Sequence, residues 1–144
     1  MSKKIHHYSQ HVHFSDVDMG GGLYHPRYLD YLDRARLSAL KDNGLSFGEF
    51  IQLGYALVVA GIEIKYIKPS FFEETLHIYT QISEVKERSL VVEQIITKQE
   101  LKSEINILEE IANKVTSARI QLVCVSLKDK KSCQFPPEII TSLI

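Results

Sequence analysis

Charge of either sign is close to balanced in this chain, 17 Lys and Arg against 18 Asp and Glu for a net −1. Such a chain has no global field for nucleic acid or an anionic membrane, so an anionic ligand must be met by a local basic cluster. Cysteine is scarce: Cys124 and Cys133 make neither a CxxC motif nor a disulfide framework, which points to a reducing cytoplasm. No apolar run is long enough to span a bilayer, and no signal-like stretch follows Met-Ser-Lys-Lys-Ile-His-His. Repeats, low-complexity tracts and Pro/Gly/Ser linkers are missing too. Residues 1–144 are therefore expected to form one domain, with a hydrophobic content of 44% that is ordinary for a globular core.

What is present is a change of hydrophobic period along the chain. Residues 5–14 alternate, Tyr8, Val12 and Phe14 against His7, His11 and His13, as in a strand with one buried face. From Pro26 to Asn43 the period is helical. Tyr28, Leu32, Ala35 and Ala39, joined by Leu29 and Leu40, make an apolar stripe, and Gly44 follows as a stop. Ser46 and Glu49 have capping-box spacing for a short helix to Leu53. From Ala56 the period returns to two. Val58, Ala60, Ile62, Ile64 and Tyr66 are expected on one face, and Leu76, Ile78 and Ile82 point inward from the next strand. Leu90–Thr97 and Val115–Leu127 are strands apolar on both faces in places, which calls for cover on both sides of a sheet. Residues 99–112 read as either a hairpin loop or a strand extension, and Pro136-Pro137-Glu138 as the start of a terminal helix. The order is strand, long helix, four strands: an α+β layer pair with one helix on an antiparallel sheet.

The chemistry concentrates in residues 14–28, Phe-Ser-Asp-Val-Asp-Met-Gly-Gly-Gly-Leu-Tyr-His-Pro-Arg-Tyr. Asp18 can serve as base or nucleophile, although an Asp ahead of glycines also makes an ordinary Asx-turn. Pro26 has no N–H, so His25, Arg27 and Tyr28 offer the donors at the helix start, where a developing oxyanion gains from the dipole and from preoriented hydrogen bonds. Asp16 reads as a structural partner that caps the loop or bonds Tyr24 or Arg36. His7, His11 and His13 make a poor metal site, because the outer pair on one strand would lie about 20 Å apart. Asp-x-Asp without a phosphate loop is a weak magnesium signal. No metal is expected.

Asp16-Val-Asp18, the glycines and Tyr24-His25-Pro26-Arg27-Tyr28 resemble the signature of hot-dog-fold acyl-CoA thioesterases of the 4-hydroxybenzoyl-CoA thioesterase type. The likeness continues through Leu32, Ala35 and Arg36, then Ile64-Lys65-Tyr66-Ile67-Lys68-Pro69, Leu76-His77-Ile78-Tyr79-Thr80 and Glu84-Val85-Lys86-Glu87-Arg88-Ser89-Leu90. The resemblance implies a long central helix wrapped by a curved antiparallel sheet of about five strands, paired into a homodimer or homotetramer with the site at the subunit boundary. It implies Asp18 as the catalytic carboxylate and the His25 backbone N–H as the donor to the thioester carbonyl. It places coenzyme A phosphates on Lys86 and Arg88, which strand spacing would put on one side.

Gly22, Tyr24 and Tyr28 are the remaining substrate-binding candidates, Tyr24 as a wall of the acyl pocket. This sequence departs from the family pattern at Met19, Gly20, Gly22, Arg27 and Ser38, and its extra glycine is expected to loosen the turn. The expected function is hydrolysis of an acyl-CoA, with coenzyme A or an acyl carrier protein as thiol carrier and no cofactor beyond the substrate's own coenzyme A. Two rivals stand beside it: a non-catalytic acyl-CoA or acyl-carrier-protein binding module, and a hot-dog hydratase or dehydratase using His25.

Overall fold

The computed structural model describes residues 4–101 and 114–143. The elements in order are β1 (Ile5–His11), α1 (Arg27–Asp42), α2 (Phe47–Gln52), β2 (Tyr55–Tyr66), β3 (Thr75–Val85), β4 (Ser89–Thr97), β5 (Lys114–Ser126), β6 (Lys131–Ser132) and α3 (Pro137–Leu143), with a 3-10 turn at Phe14–Asp16. The antiparallel sheet runs β1-β3-β4-β5-β2, and two-residue β6 adds to β5 outside this path. α1 packs on one face of this sheet, against β1 and β3. This is the hot-dog arrangement, with one small strand more than expected. The ambiguous stretch at 99–112 lies outside the described residues from 102 on.

α1 follows the helical stripe with informative exceptions. Tyr28, Leu32, Ala35, Ala39 and Leu40 are buried as the period requires, but Tyr31 and Arg36 are buried with them and Leu29 is largely exposed. Successive residues turn by 100°, so positions 28, 31/32, 35/36 and 39/40 form the inward band and 29 falls beside it. Pro26 stands one place outside the helix, as its N-cap, and Ser46 precedes α2 without a side-chain cap bond. Phe14 is also a departure. The 3-10 turn interrupts the alternation after β1, leaving Phe14 exposed while Val12 is fully buried.

Buried Arg36 is held by a polar network under α1. Its guanidinium donates to Asp33 at 2.8 Å and to Gln94 Oε1 at 3.3 Å. Gln94 Nε2 spends its two protons on the Leu32 carbonyl and on Thr80 Oγ1, both at 2.9 Å. Desolvation lowers the Arg36 pKa from its ordinary value and Asp33 opposes that effect, so helix and sheet are joined by a satisfied charge rather than by apolar contact alone.

Three register shifts among the described strands place side chains where strict alternation would not, one of them between Ile96 and Thr97 where β4 meets β5. In β2, Val59 pairs with Leu122 but Gly61 pairs with Gln121, so Ala60 is an extra residue. Before this bulge Leu57 and Val59 share the face of buried Cys124 and Leu122; after it Ile62 and Ile64 share the face of buried Ile120 and Ala118. Val58 and Ala60 therefore do not lie with Ile62, Ile64 and Tyr66 as expected. β3 has a second bulge at Ser83, beyond the inward Leu76, Ile78 and Ile82. The outer sheet face is covered in part by a small cluster of Tyr79 and Ile95 with Ile5 and Leu101.

Candidate active site

The segment before α1 is a tight hairpin with Val17 opposite Leu23. The Asp18 N–H donates to the Gly22 carbonyl at 2.9 Å, the Gly21 N–H to the Asp18 carbonyl at 3.0 Å, and the Tyr24 N–H to the Asp16 carbonyl at 2.9 Å. Two further bonds tie the hairpin to the approach to β3, from the Leu23 N–H to the Ser70 carbonyl at 2.8 Å and from the Phe72 N–H to the Gly21 carbonyl at 3.1 Å. The glycines thus do not loosen the turn; it is pinned from both sides. Gly21, with φ at +82°, is the one of the three in the left-handed region. Gly22 instead pairs with Phe71 in an isolated bridge.

Asp18 is exposed at the tip of this hairpin. Its Oδ1 accepts the Gly20 N–H at 2.9 Å, the Asx-turn bond, while Oδ2 has no partner among the described residues. The turn bond therefore occupies one oxygen of the carboxylate and leaves the other for the role expected from sequence. At the helix start the Arg27 N–H is taken by the Tyr24 carbonyl at 2.8 Å, the Tyr28 N–H by that of His25 at 3.4 Å, and the Leu29 N–H by that of Pro26 at 3.1 Å. The His25 N–H bonds to no described residue. Of the three donors expected here, one remains without a partner among the described residues.

Aromatic rings cluster about the His25 side chain. The His25 imidazole lies 5.2 Å from the exposed Tyr24 ring and 6.4 Å, edge-on, from the Tyr66 ring. Tyr66 donates its hydroxyl to the His25 carbonyl at 3.3 Å and meets Tyr28 at 5.3 Å. Tyr28 is buried in the core, so it supports this corner from beneath and presents little surface to a ligand. Tyr66 was not among the sequence candidates, although its position at the end of β2 put it on the face of Ile62 and Ile64.

Asp16 caps its loop as expected, its Oδ2 accepting the His13 N–H at 3.4 Å, but its side-chain partners are not the ones expected. Its Oδ2 accepts the buried Tyr31 hydroxyl at 2.6 Å, and its Oδ1 is 3.7 Å from Arg27 Nε. Tyr24 reaches it only through the backbone, and Arg36 belongs to the network under α1. Burial, then the Asp16 carboxylate, holds the Tyr31 phenol well above its ordinary pKa, so the proton stays on Tyr31 and this bond anchors the hairpin to the helix.

Lys86 and Arg88 are not brought to Asp18 within one chain. They lie in the turn after β3, closed by the Lys86 N–H to the Ser89 carbonyl at 2.8 Å, whereas the hairpin is tied to the residues before β3. The eleven residues of β3 separate the two, roughly 35 Å at strand rise. The two cations have different surroundings. Lys86 borders an outer-face depression of about 420 Å³ with Glu63, Glu84 and Arg119, while Arg88 donates to the Ser132 carbonyl at 3.2 Å. A second cavity of about 180 Å³ lies between the far half of α1 and β2, lined by Leu37, Leu40, Phe47, Leu57 and Val59 among others. Neither space borders Asp18 or His25. Among the described residues no cluster of three His, Cys, Asp or Glu could hold a metal ion, and no helix is long and apolar enough to cross a membrane.

The thioesterase-like superfamily pattern matches residues 12–143. The acyl-CoA thioesterase YbgC of Haemophilus influenzae is 30% identical over 131 residues, 89% of this chain and 86% of that protein. The long-chain acyl-CoA thioesterase FadM of Escherichia coli is 31% identical over 113 residues, covering 78% and 77%. In fold, the chain is similar to Slr0204, a 1,4-dihydroxy-2-naphthoyl-CoA thioesterase from Synechocystis, with a TM-score of 0.80 at 21% identity over 97% of this chain and 96% of that one.

Proposed function

Because the chain belongs to the thioesterase-like superfamily, and is by that membership a thioester hydrolase, we propose that it hydrolyses an acyl-CoA to a carboxylic acid and free coenzyme A at Asp18 and the start of α1. The observation that carries this reading is that one hairpin holds an exposed carboxylate and, at its end, a backbone amide, with one carboxylate oxygen and the amide N–H bonded to no described residue. The thioester oxygen would sit on the His25 N–H, where the helix dipole and a fixed donor favour the charge that builds up as the carbonyl is attacked. Asp18 would either attack that carbon, giving a mixed anhydride that water then opens, or take a proton from water as it attacks. The thiolate leaves in either route.

The nucleotide end needs a second subunit. Lys86 and Arg88 are too far from Asp18 to serve the same substrate in one chain, but copies paired through an edge strand would carry one chain's turn toward the other's hairpin. β2 is an edge strand of twelve residues, with Val58, Val59, Ile62 and Tyr66 largely exposed. A strand so long and apolar at a sheet edge favours pairing with another strand.

The test is thiol release from a panel of short, long and aromatic acyl-CoA substrates by the wild type and by Asp18→Asn. The variant should lose roughly 100- to 10,000-fold in rate, the range for a positioned acid–base group. Equal rates would remove Asp18 from the mechanism, and no turnover on any acyl group would end the enzymatic reading.

A further inference from the structure

Cys124 and Cys133 have no part in the site described above. Cys124 lies on β5, opposite Leu57 of β2, and is fully buried; Cys133 follows β6 and is half-buried; both are free thiols. Their backbones are neighbours. The β5–β6 register pairs Val125 with Ser132, and the Cys133 N–H extends it by donating to the Cys124 carbonyl at 2.9 Å. Residues so opposed in antiparallel strands have Cα atoms about 4.5–5.5 Å apart, within the range of about 4.4–6.8 Å that a disulfide spans. The two Sγ atoms stand 3.7 Å apart, so small side-chain rotations would bring them to the bonding distance of about 2.05 Å. The bond would join β5 to a segment that is also attached elsewhere, through the Phe135 N–H to the Glu87 carbonyl at 2.8 Å and Arg88 to the Ser132 carbonyl at 3.2 Å.

We propose that Cys124 and Cys133 are a reversible thiol–disulfide pair, oxidised by a low-molecular-weight disulfide, whose closure staples the C-terminal segment to β5. The half-buried Cys133 reacts first. Its thiolate takes one sulfur of the small disulfide, forming a mixed disulfide and releasing one small thiol. Cys124 then gives up its proton as its sulfur displaces the second small thiol from Cys133. Two protein thiols have lost two electrons and two protons, and one small disulfide has become two thiols. Burial, then Cys133 itself, pushes the Cys124 thiol up to about 12, which makes it a resolving sulfur that acts only after its neighbour has been activated.

Glutathione disulfide is the probe. Wild type, Cys124→Ser and Cys133→Ser are incubated with it, quenched with iodoacetamide under denaturing conditions and weighed intact. Wild type should lose the mass of two hydrogens and take no alkyl group, and dithiothreitol should restore both thiols. Cys124→Ser should stop at a glutathione adduct on Cys133, and Cys133→Ser should carry no adduct. Closure should also raise the thermal midpoint of wild type by several degrees. Two alkylatable thiols remaining in wild type, or an adduct on Cys133 that never closes, would overturn the proposal, as would a midpoint unchanged by closure.

Discussion

Asp18 does the work of a turn residue with one oxygen, and the work of a reagent proposed for it falls to the other. The motif made its candidacy legible; which oxygen the turn would occupy was not, because that depends on the order of hydrogen bonds around Gly20, Gly21 and Gly22. The same order changes which glycine matters. Gly21→Ala should destabilise the fold by about 1–2 kcal/mol, the cost of holding a side chain in the left-handed region. Gly22→Ala should cost little of that, since its Cβ would meet the Ser70 carbonyl at an ordinary 3.7 Å. Urea unfolding of the two variants separates them. His25 was legible through its backbone, because proline at the next position and the helix start are visible in sequence. Tyr31 as the partner of Asp16 was not, because it rests on how far α1 rotates against the hairpin.

Among the elements, α1 shows where the hydrophobic pattern stops being informative. Leucines and alanines at helical spacing give the helix and its inward side, but Arg36 looks like a surface residue until Gln94, itself held by Thr80, arrives from a distant strand to receive it. Gln94→Leu should lower stability by about 1–3 kcal/mol by leaving a buried donor short of its acceptor. Adding Arg36→Met to that variant should recover part of the loss, which a double-mutant cycle by urea unfolding would measure. β2 was correctly placed as a strand, yet its facing was misjudged at Val58 and Ala60, since a single added residue inverts the alternation and no local preference announces it.

For the whole molecule, acid should act through the outer face of the sheet. His7 Nε2 and His77 Nδ1 are 2.9 Å apart, stacked beside Tyr79, and Glu100 is 3.8 Å from His7 Nδ1. Burial, then His7, lowers the pKa of His77, and Glu100 opposes them. The unfolded chain therefore protonates this residue first, so the stability it contributes is present above about pH 6.5 and is lost as the solution becomes more acidic. His77→Gln should reduce the drop in urea midpoint between about pH 7.5 and about pH 5.5. Assembly is tested on the opposite flank: Ile62→Lys on the β2 edge should shift the mass measured by light scattering toward a single chain and depress turnover with it. The hot-dog layering was legible because helix and strands each keep their own period over many residues; the separation of Asp18 from the Lys86–Arg88 turn was not, since it depends on which end of β3 the hairpin is tied to. Ala60, a methyl group with no chemistry of its own, acts as a phase marker. Deleting it would turn Ile62, Ile64 and Tyr66 through half a rotation, taking the phenol off the His25 carbonyl and changing the chemical corner from a residue that never touches it.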